Sequence, residues 1–238
     1  MTTRLTRFIE ARLSPEGEFG LHLSAGVLLL ALASAVFGYL AHAVLTQQGI
    51  VVLDLQLAQW LHQHASEPLT SLMLGVSELH STAVVLLLVA LLAWRLWQRQ
   101  ARYWLLALLL VVPGGMLLNV LLKQIFQRSR PVFDEPLVTL LTYSFPSGHT
   151  AAATLLYGWL GCWLVMEYRR RALLIVALPA CALMVLLVAS SRMYLGAHYL
   201  SDVLAAMAEG VAWLAICMTA MATLRRRQLK NPAAVAGH

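Results

Sequence analysis

Six long apolar runs limit what this chain can fold into more than any other feature. They lie at approximately 21–45, 81–97, 104–125, 149–166, 172–190 and 199–224. About 20 apolar residues in helical form cross roughly 30 Å of hydrocarbon, so each run reads as a membrane-crossing helix. Composition agrees. Of the 238 residues 60% are hydrophobic and 12% charged, with a mean hydropathy of +0.74, more than a water-exposed surface tolerates. The expected architecture is all-α: one polytopic membrane-embedded domain over residues 1–238, with six transmembrane helices in a bundle and a short interfacial helix.

The second run is the least sharply bounded. From Leu69 to Trp97 the pattern fits either one long tilted helix or an interfacial segment followed by a span. Val51 to His64 reads as the interfacial helix, with Val52, Leu55, Ala58 or Gln59, and Trp60 near the headgroups. Trp60, Trp94, Trp97 and Trp104 fall near expected span ends, where aromatic anchors belong.

The net charge of +6 would suit nucleic acid if the cations were scattered, but they are clustered. Arg4, Arg7 and Arg12 precede span one; Arg95, Arg99 and Arg102 join spans two and three; Arg169, Arg170 and Arg171 join spans four and five; Arg225, Arg226, Arg227 and Lys230 follow span six. Under the positive-inside rule these segments and both termini face the cytoplasm, and nucleic acid is not expected as a partner. The remaining cations, Lys123, Arg128, Arg130 and Arg192, fall on the other side, where membrane insertion gives no reason to keep them.

Cys162, Cys181 and Cys217 lie inside spans at spacings that match neither a disulfide framework nor a zinc site, and are assigned to packing. Ala33-Ser34-Ala35 faintly resembles a signal-peptidase site, but the apolar run continues to Leu45 and reads as a retained anchor. The stretch from Gln228 to His238 has the character of a frayed tail.

Three polar stretches interrupt this oily background. In the first, Lys123 and Arg130 are seven apart, so a helix carrying both would point them to one side until Pro131 ends it, with Asn119 on the same face. In the second, Pro146-Ser147-Gly148-His149 reads as a turn feeding a helix N-terminus, where amide hydrogens, the helix dipole and the Ser147 hydroxyl favour an anion. In the third, Ser191-Arg192 is followed by His198 and Asp202, four apart, so the carboxylate can bond one ring nitrogen and leave the other free to attack. Taken alone, each stretch has a plainer reading: snorkelling cations, a serine cap, a structural pair at the membrane surface. Together they meet at one membrane face under a topology drawn from other residues. Three cations, two imidazoles and a carboxylate suit transfer of a phosphoryl group to histidine without a metal.

The chain resembles the type 2 phosphatidic acid phosphatase superfamily of lipid phosphatases, including its bacterial phosphatidylglycerophosphatase and undecaprenyl-diphosphate phosphatase types. The pattern K-x6-R-P, then P-S-G-H, then S-R-x5-H-x3-D is met by Lys123, Arg130 and Pro131, by Pro146 to His149, and by Ser191, Arg192, His198 and Asp202. These motifs occupy a core of about residues 119–202. The resemblance implies that His198 is the nucleophile, forming a phosphohistidine, that Asp202 positions it and that His149 protonates the leaving oxygen. It also implies phosphate contacts from Lys123, Arg130, Ser147, Gly148 and Arg192, with no metal and no cofactor.

Its substrate would be a lipid phosphate or diphosphate: undecaprenyl diphosphate, as in peptidoglycan biosynthesis, phosphatidylglycerol phosphate or phosphatidic acid, with the first two favoured by resemblance. The compact size points to a bacterial inner membrane with the site on the periplasmic side. Glu209, seven after Asp202, reads as a buried structural acid or a groove-lining one. Arg128 either joins the phosphate field or faces headgroups, and His62 with His64 does not form a metal site. The rival from another class is a lipid-headgroup transporter or flippase that binds phosphate without cleaving it. A haloperoxidase-like oxidation is a remoter alternative. Oligomeric state has no signature in the chain.

Overall fold

A computed structural model of the chain describes residues 20–168 and 171–230, and among them every regular element is helical. In chain order they are α1 (Leu21–Thr46), α2 (Ile50–Gln63), α3 (Leu69–Leu79), α4 (Thr82–Gln98), α5 (Arg102–Phe126), α6 (Gly148–Glu167), α7 (Arg171–Tyr194) and α8 (Leu200–Lys230). Arg4, Arg7, Arg12, Arg169, Arg170 and the residues after 230 lie outside the described residues.

Four of these helices, α1, α5, α7 and α8, are long and apolar enough to cross a membrane by themselves. The stretch from Leu69 to Trp97 is neither one straight helix nor a lone span: α3 and α4 meet the test only together, bent by 46°. The break falls at His80 and Ser81, where His80 bonds back through Nδ1 to the Val76 carbonyl at 2.9 Å and Ser81 is extended. The fourth expected span corresponds to α6, which is not among the four. It sits at the centre of the bundle, packed against α5, α7 and α8. Facing protein instead of lipid, it carries small and mildly polar residues, with Thr150, Ala151, Ala152, Ala153 and Thr154 all buried.

Close packing, more than exclusion from water, holds such helices together in lipid. A Cβ at Gly115 would come within 2.5 Å of Leu155 and 2.8 Å of Trp213, so only glycine lets α5 approach α6 and α8 this closely. Around that contact lies the main core, with Val85, Leu108, Val111, Leu155 and Trp159. Trp104, expected as an interfacial anchor, belongs to this core: it is 4% exposed, edge-on to Trp159, and donates to Glu167 at 2.5 Å.

The expected interfacial helix is α2. Val52, Leu55, Gln59 and Trp60 face outward, while Val51, Asp54 and Ala58 are buried. Contacts also sort the bundle's two ends. The Trp104–Glu167 bond and the Arg225 guanidinium, 4.9 Å over the Tyr103 ring, join the basic ends of α5, α6 and α8. The three polar stretches gather at the opposite ends of the same helices.

Candidate active site

The first stretch is built differently from expectation. Helix α5 stops at Phe126, before Pro131, because Gln127 is left-handed (φ 45°) and its N–H returns to the Lys123 carbonyl. Lys123 therefore projects from the last turn, while Arg130 arrives on the following irregular segment and does not share a helix face with it. Lys123 Nζ donates to the Tyr143 carbonyl at 2.8 Å and the Ser144 carbonyl at 3.3 Å. Arg130 donates to the carbonyls of Thr142 (2.6 Å), Ala197 (2.6 Å) and Tyr143 (3.1 Å) and to the Thr142 hydroxyl (2.9 Å).

In the second stretch Ser147 is the N-cap of α6 and Gly148 its first residue, as the turn reading expects. The Ser147 side chain is wholly buried, 3.0 Å from the Thr150 hydroxyl, so it lies behind the helix end instead of on the cleft wall. Gly148 faces Lys123 across the gap, where a Cβ would sit 3.7 Å from Lys123 Cε and 3.4 Å from Asn119 Oδ1. His149 follows in the first turn and lines the cleft.

The third stretch closes α7. Gly196, at φ +66°, turns the chain so that the N–H groups of Ala197 and His198 both return to the Arg192 carbonyl. A side chain there would be strained and would also press within 2.7 Å of Phe133. His198 precedes α8 and Asp202 lies in its first turn, so the pair is brought together by a helix N-terminus and not by a shared helix face. Asp202 Oδ2 accepts the Tyr199 N–H at 2.9 Å, the reach-back of a capping box, and the Ser144 hydroxyl at 2.5 Å, and lies 3.5 Å from His198 Nδ1.

Arg130 Nη1 lies 3.2 Å from Nε2 of His198. A guanidinium only donates, so Nε2 is the accepting nitrogen and the ring proton sits on Nδ1, toward Asp202. Burial drives the His198 pKa down to about 3 against the opposing pull of Asp202, leaving the ring neutral at physiological pH with its lone pair at Nε2.

Lys123, Arg130, Gly148, His149, Arg192 and His198 line a single cleft of about 410 Å³, together with Asn119 and Thr142. Asp202, which is fully buried, stands behind His198. Arg192 donates to the Ser77 hydroxyl, and its Nε is buried without a partner. The other side of the cleft is apolar, with Leu86 of α4, Met116, Leu117 and Val120 of α5, and Leu140. Among the described residues no three His, Cys, Asp or Glu side chains converge as a metal site would require.

Three features escaped the sequence reading. Arg128 neither joins the cleft nor faces headgroups: it is buried between two carboxylates, bonding Asp202 at 2.6 Å and Asp54 at 2.8 Å. Their attraction outweighs the cost of burial and raises its pKa. Asp54 and Ser144 belong to no recognisable motif, and only the fold brings Ser144 to Asp202 and Asp54 to Arg128. Glu209 accepts from Asn119 at 2.9 Å and does not line the cleft, which favours the structural reading of that acid.

Comparison with known proteins agrees with this architecture. The PAP2 superfamily matches residues 104–226. Phosphatidylglycerophosphatase B of Bacillus subtilis (strain 168) is 31% identical over 148 residues, which is 60% of this chain and 70% of that protein. The crystal structure of the first transmembrane PAP2 type phosphatidylglycerolphosphate phosphatase from Bacillus subtilis matches with a TM-score of 0.72 at 26% identity, covering 79% of this chain and 94% of that one. Aquifex aeolicus LpxE matches in fold, with a TM-score of 0.56 at 23% identity over 70% of this chain and 94% of its own. Matched over more than half its length, from the start of α5 into α8, this chain belongs to the PAP2 superfamily.

Proposed function

We propose that the chain is an integral membrane lipid phosphatase that removes a terminal phosphate from a lipid phosphate or diphosphate through a phosphohistidine at His198. One observation carries the reading. Lys123, Arg130 and Arg192 converge on the cleft bonded to carbonyls and hydroxyls, and among the described residues no carboxylate pairs with any of them. Such a cluster repels itself and is relieved by an anion of two or more charges, for which a phosphate is the right size.

The chemistry follows from the positions. Nε2 of His198 attacks phosphorus while the three cations and the N-terminus of α6 at Gly148 take up charge on the phosphate oxygens, with Ser147 capping that helix end from behind. The bond from phosphorus to the lipid oxygen breaks, and that oxygen takes a proton from His149, which gains it from the monoprotonated phosphate group as the substrate binds. Asp202 stabilises the positive charge that develops on the His198 ring. His149 then takes a proton from water, whose oxygen attacks the phosphohistidine, and inorganic phosphate leaves with His198 restored. Three fixed cations do the work that a metal ion does elsewhere, so this reading includes neither metal nor cofactor.

The same proposal covers the setting. Six crossings are α1, the bent pair α3–α4, α5, α6, α7 and α8, with α2 on the surface and the site on the periplasmic side of a bacterial inner membrane. A lipid reaches the cleft sideways past Leu86 on α4 and Leu117 and Val120 on α5, which keeps its tail in hydrocarbon. Among substrates, phosphatidylglycerol phosphate and undecaprenyl diphosphate remain favoured, with phosphatidic acid as a further candidate.

The test is release of inorganic phosphate by purified protein from dioctanoyl phosphatidic acid, phosphatidylglycerol phosphate and undecaprenyl diphosphate in one detergent. Acid-labile radioactive phosphate trapped on the wild type but not on His198→Ala is the expected result. Binding of all three lipids with no phosphate released would favour a transporter and end the phosphatase reading.

A further inference from the structure

Asp202 has two faces. Oδ2 serves His198, Ser144 and the start of α8, whereas Oδ1 accepts only from Arg128 Nη1, at 2.6 Å. The second nitrogen of Arg128 donates to Oδ2 of Asp54 at 2.8 Å. Asp54 is pinned in turn, because its Oδ1 accepts the Ser201 N–H at 2.8 Å and its Oδ2 the Ser201 hydroxyl at 2.5 Å. The guanidinium plane lies 4.3 Å over the Tyr199 ring. Asp54 is 1% exposed and Arg128 9%, so this chain of charges is out of water.

Buried ion pairs contribute little net stability, since desolvation consumes most of the attraction. What this one supplies is direction. A carboxylate bonded on one side only can turn about its own axis, and Asp202 has positive neighbours in the cleft, Arg130 and Lys123, toward which to turn. Arg128 occupies Oδ1 and prevents that. Arg128 Nη1 also donates to the Ser201 hydroxyl at 2.7 Å, and Asp54, which holds both that hydroxyl and Nη2, fixes the guanidinium in this orientation.

We propose that Asp54 and Arg128 are positioning residues for the reaction: anchored by Asp54 on the surface helix α2, Arg128 fixes the Asp202 carboxylate so that Oδ2 holds the proton on Nδ1 of His198 and none of the cleft's positive charge is neutralised. The proposal rests on the phosphatase reading for its kinetic consequence and on geometry alone for its effect on the ring.

The experiment pairs kinetics with spectroscopy on the full chain in detergent. With dioctanoyl phosphatidic acid, Arg128→Gln lowers kcat about 100-fold and the isosteric Asp54→Asn about tenfold, with KM within about threefold in both. The double variant is no slower than Arg128→Gln, because the two residues act through one bond path. Arg128→Lys, which can reach one carboxylate, recovers part of the loss. Trp104→Phe, at the opposite end of the bundle, lowers the Tm without lowering kcat and so separates stability from positioning. Nitrogen-15 NMR of labelled histidines, with His198 assigned by its loss in His198→Ala, shows the Nδ1–H tautomer in the wild type and a mixture in Asp54→Asn and Arg128→Lys.

Multiplicative losses, a rise in KM in place of a fall in kcat, or an unchanged tautomer in the variants would overturn the proposal. No phosphate release by the wild type together with the tautomer shift would remove the phosphatase reading and leave the positioning intact. Normal phosphate release with unaffected variants would do the reverse.

Discussion

Both ends of the bundle are cationic, yet only one gathers its cations in a cleft. At the basic end Arg95, Arg99, Arg102, Arg171 and Arg225 are exposed. At the other end Arg192 is 3% exposed, and Lys123 and Arg130 are partly buried and bonded to neutral oxygens. Solvent screens the first set, and charges of like sign can crowd there at little cost. In the cleft the same charges meet a lower dielectric and repel, so on the proposed reading a phosphate there gains far more from them. Arg128 supplies the contrast within that end: facing two carboxylates, it is already neutralised and left out of the cleft. Exposure and the charge of the partners, not the number of cations, separate a binding site from a topology signal.

The comparison breaks first at His198. Replacing it with alanine is expected to lower phosphate release by about 1,000-fold or more, read as inorganic phosphate from dioctanoyl phosphatidic acid, since the proposed nucleophile is gone. Activity within tenfold of the wild type would place the nucleophile elsewhere. Next come the cleft cations: Arg192→Ala and Arg130→Ala should each cost about 100-fold. Arg130→Lys should recover little, because one ammonium cannot hold Thr142, Ala197 and His198 together. If lysine restores full turnover, only charge matters there.

A third prediction concerns pH. The His198 pKa is about 3 folded against 6.5 for the free side chain, so below pH 6.5 the unfolded chain binds a proton that the folded chain refuses. The stabilising contribution is therefore complete above pH 6.5 and is lost as pH falls toward 3, at up to about 1.4 kcal/mol per pH unit. Thermal unfolding between pH 7 and pH 5 should fall less steeply in His198→Asn than in the wild type. Equal slopes would mean that the ring is not buried neutral.

Smaller effects sharpen the same contrast. Glu209→Gln keeps an acceptor for Asn119, so turnover should stay within about threefold, and a larger loss would give that acid a part in the reaction. At the basic end Arg225→Ala should leave turnover within about twofold and reduce the Tm slightly through loss of its contact with Tyr103. Turnover in EDTA should match turnover in magnesium, measured by the same phosphate assay.

Much of this was legible before any coordinates, and the exceptions share a cause. Lys123, Arg130, His149, Arg192, His198 and Asp202 stand out because polar residues interrupting apolar runs are few, and their spacings are short and regular. Arg130 was nonetheless placed on the wrong support. Pro131 looked like the helix terminator, while a left-handed Gln127 four residues earlier does the work, and nothing in a glutamine announces that conformation. Asp54 lies on the buried face of α2, away from the outward residues that mark that helix in the sequence. A single aspartate 74 positions from Arg128 and 147 from Ser201 carries no local signal. Trp104 was read from its place near a span end, but its indole points inward to Glu167. Helix α6 shows the limit of hydropathy: enclosed by its neighbours, it has no need of a fully apolar face.

By itself the sequence determined that the chain is helical, that it lies in a membrane, and which side-chain types line the cleft. Backbone polarity in hydrocarbon and the chemistry of the residues decide those matters locally. Only the tertiary structure decided which cations remain uncompensated and which one is claimed by Asp54 and Asp202. That depends on distances of a few ångströms between segments far apart in the chain, and electrostatic energy inside a protein is set at that scale.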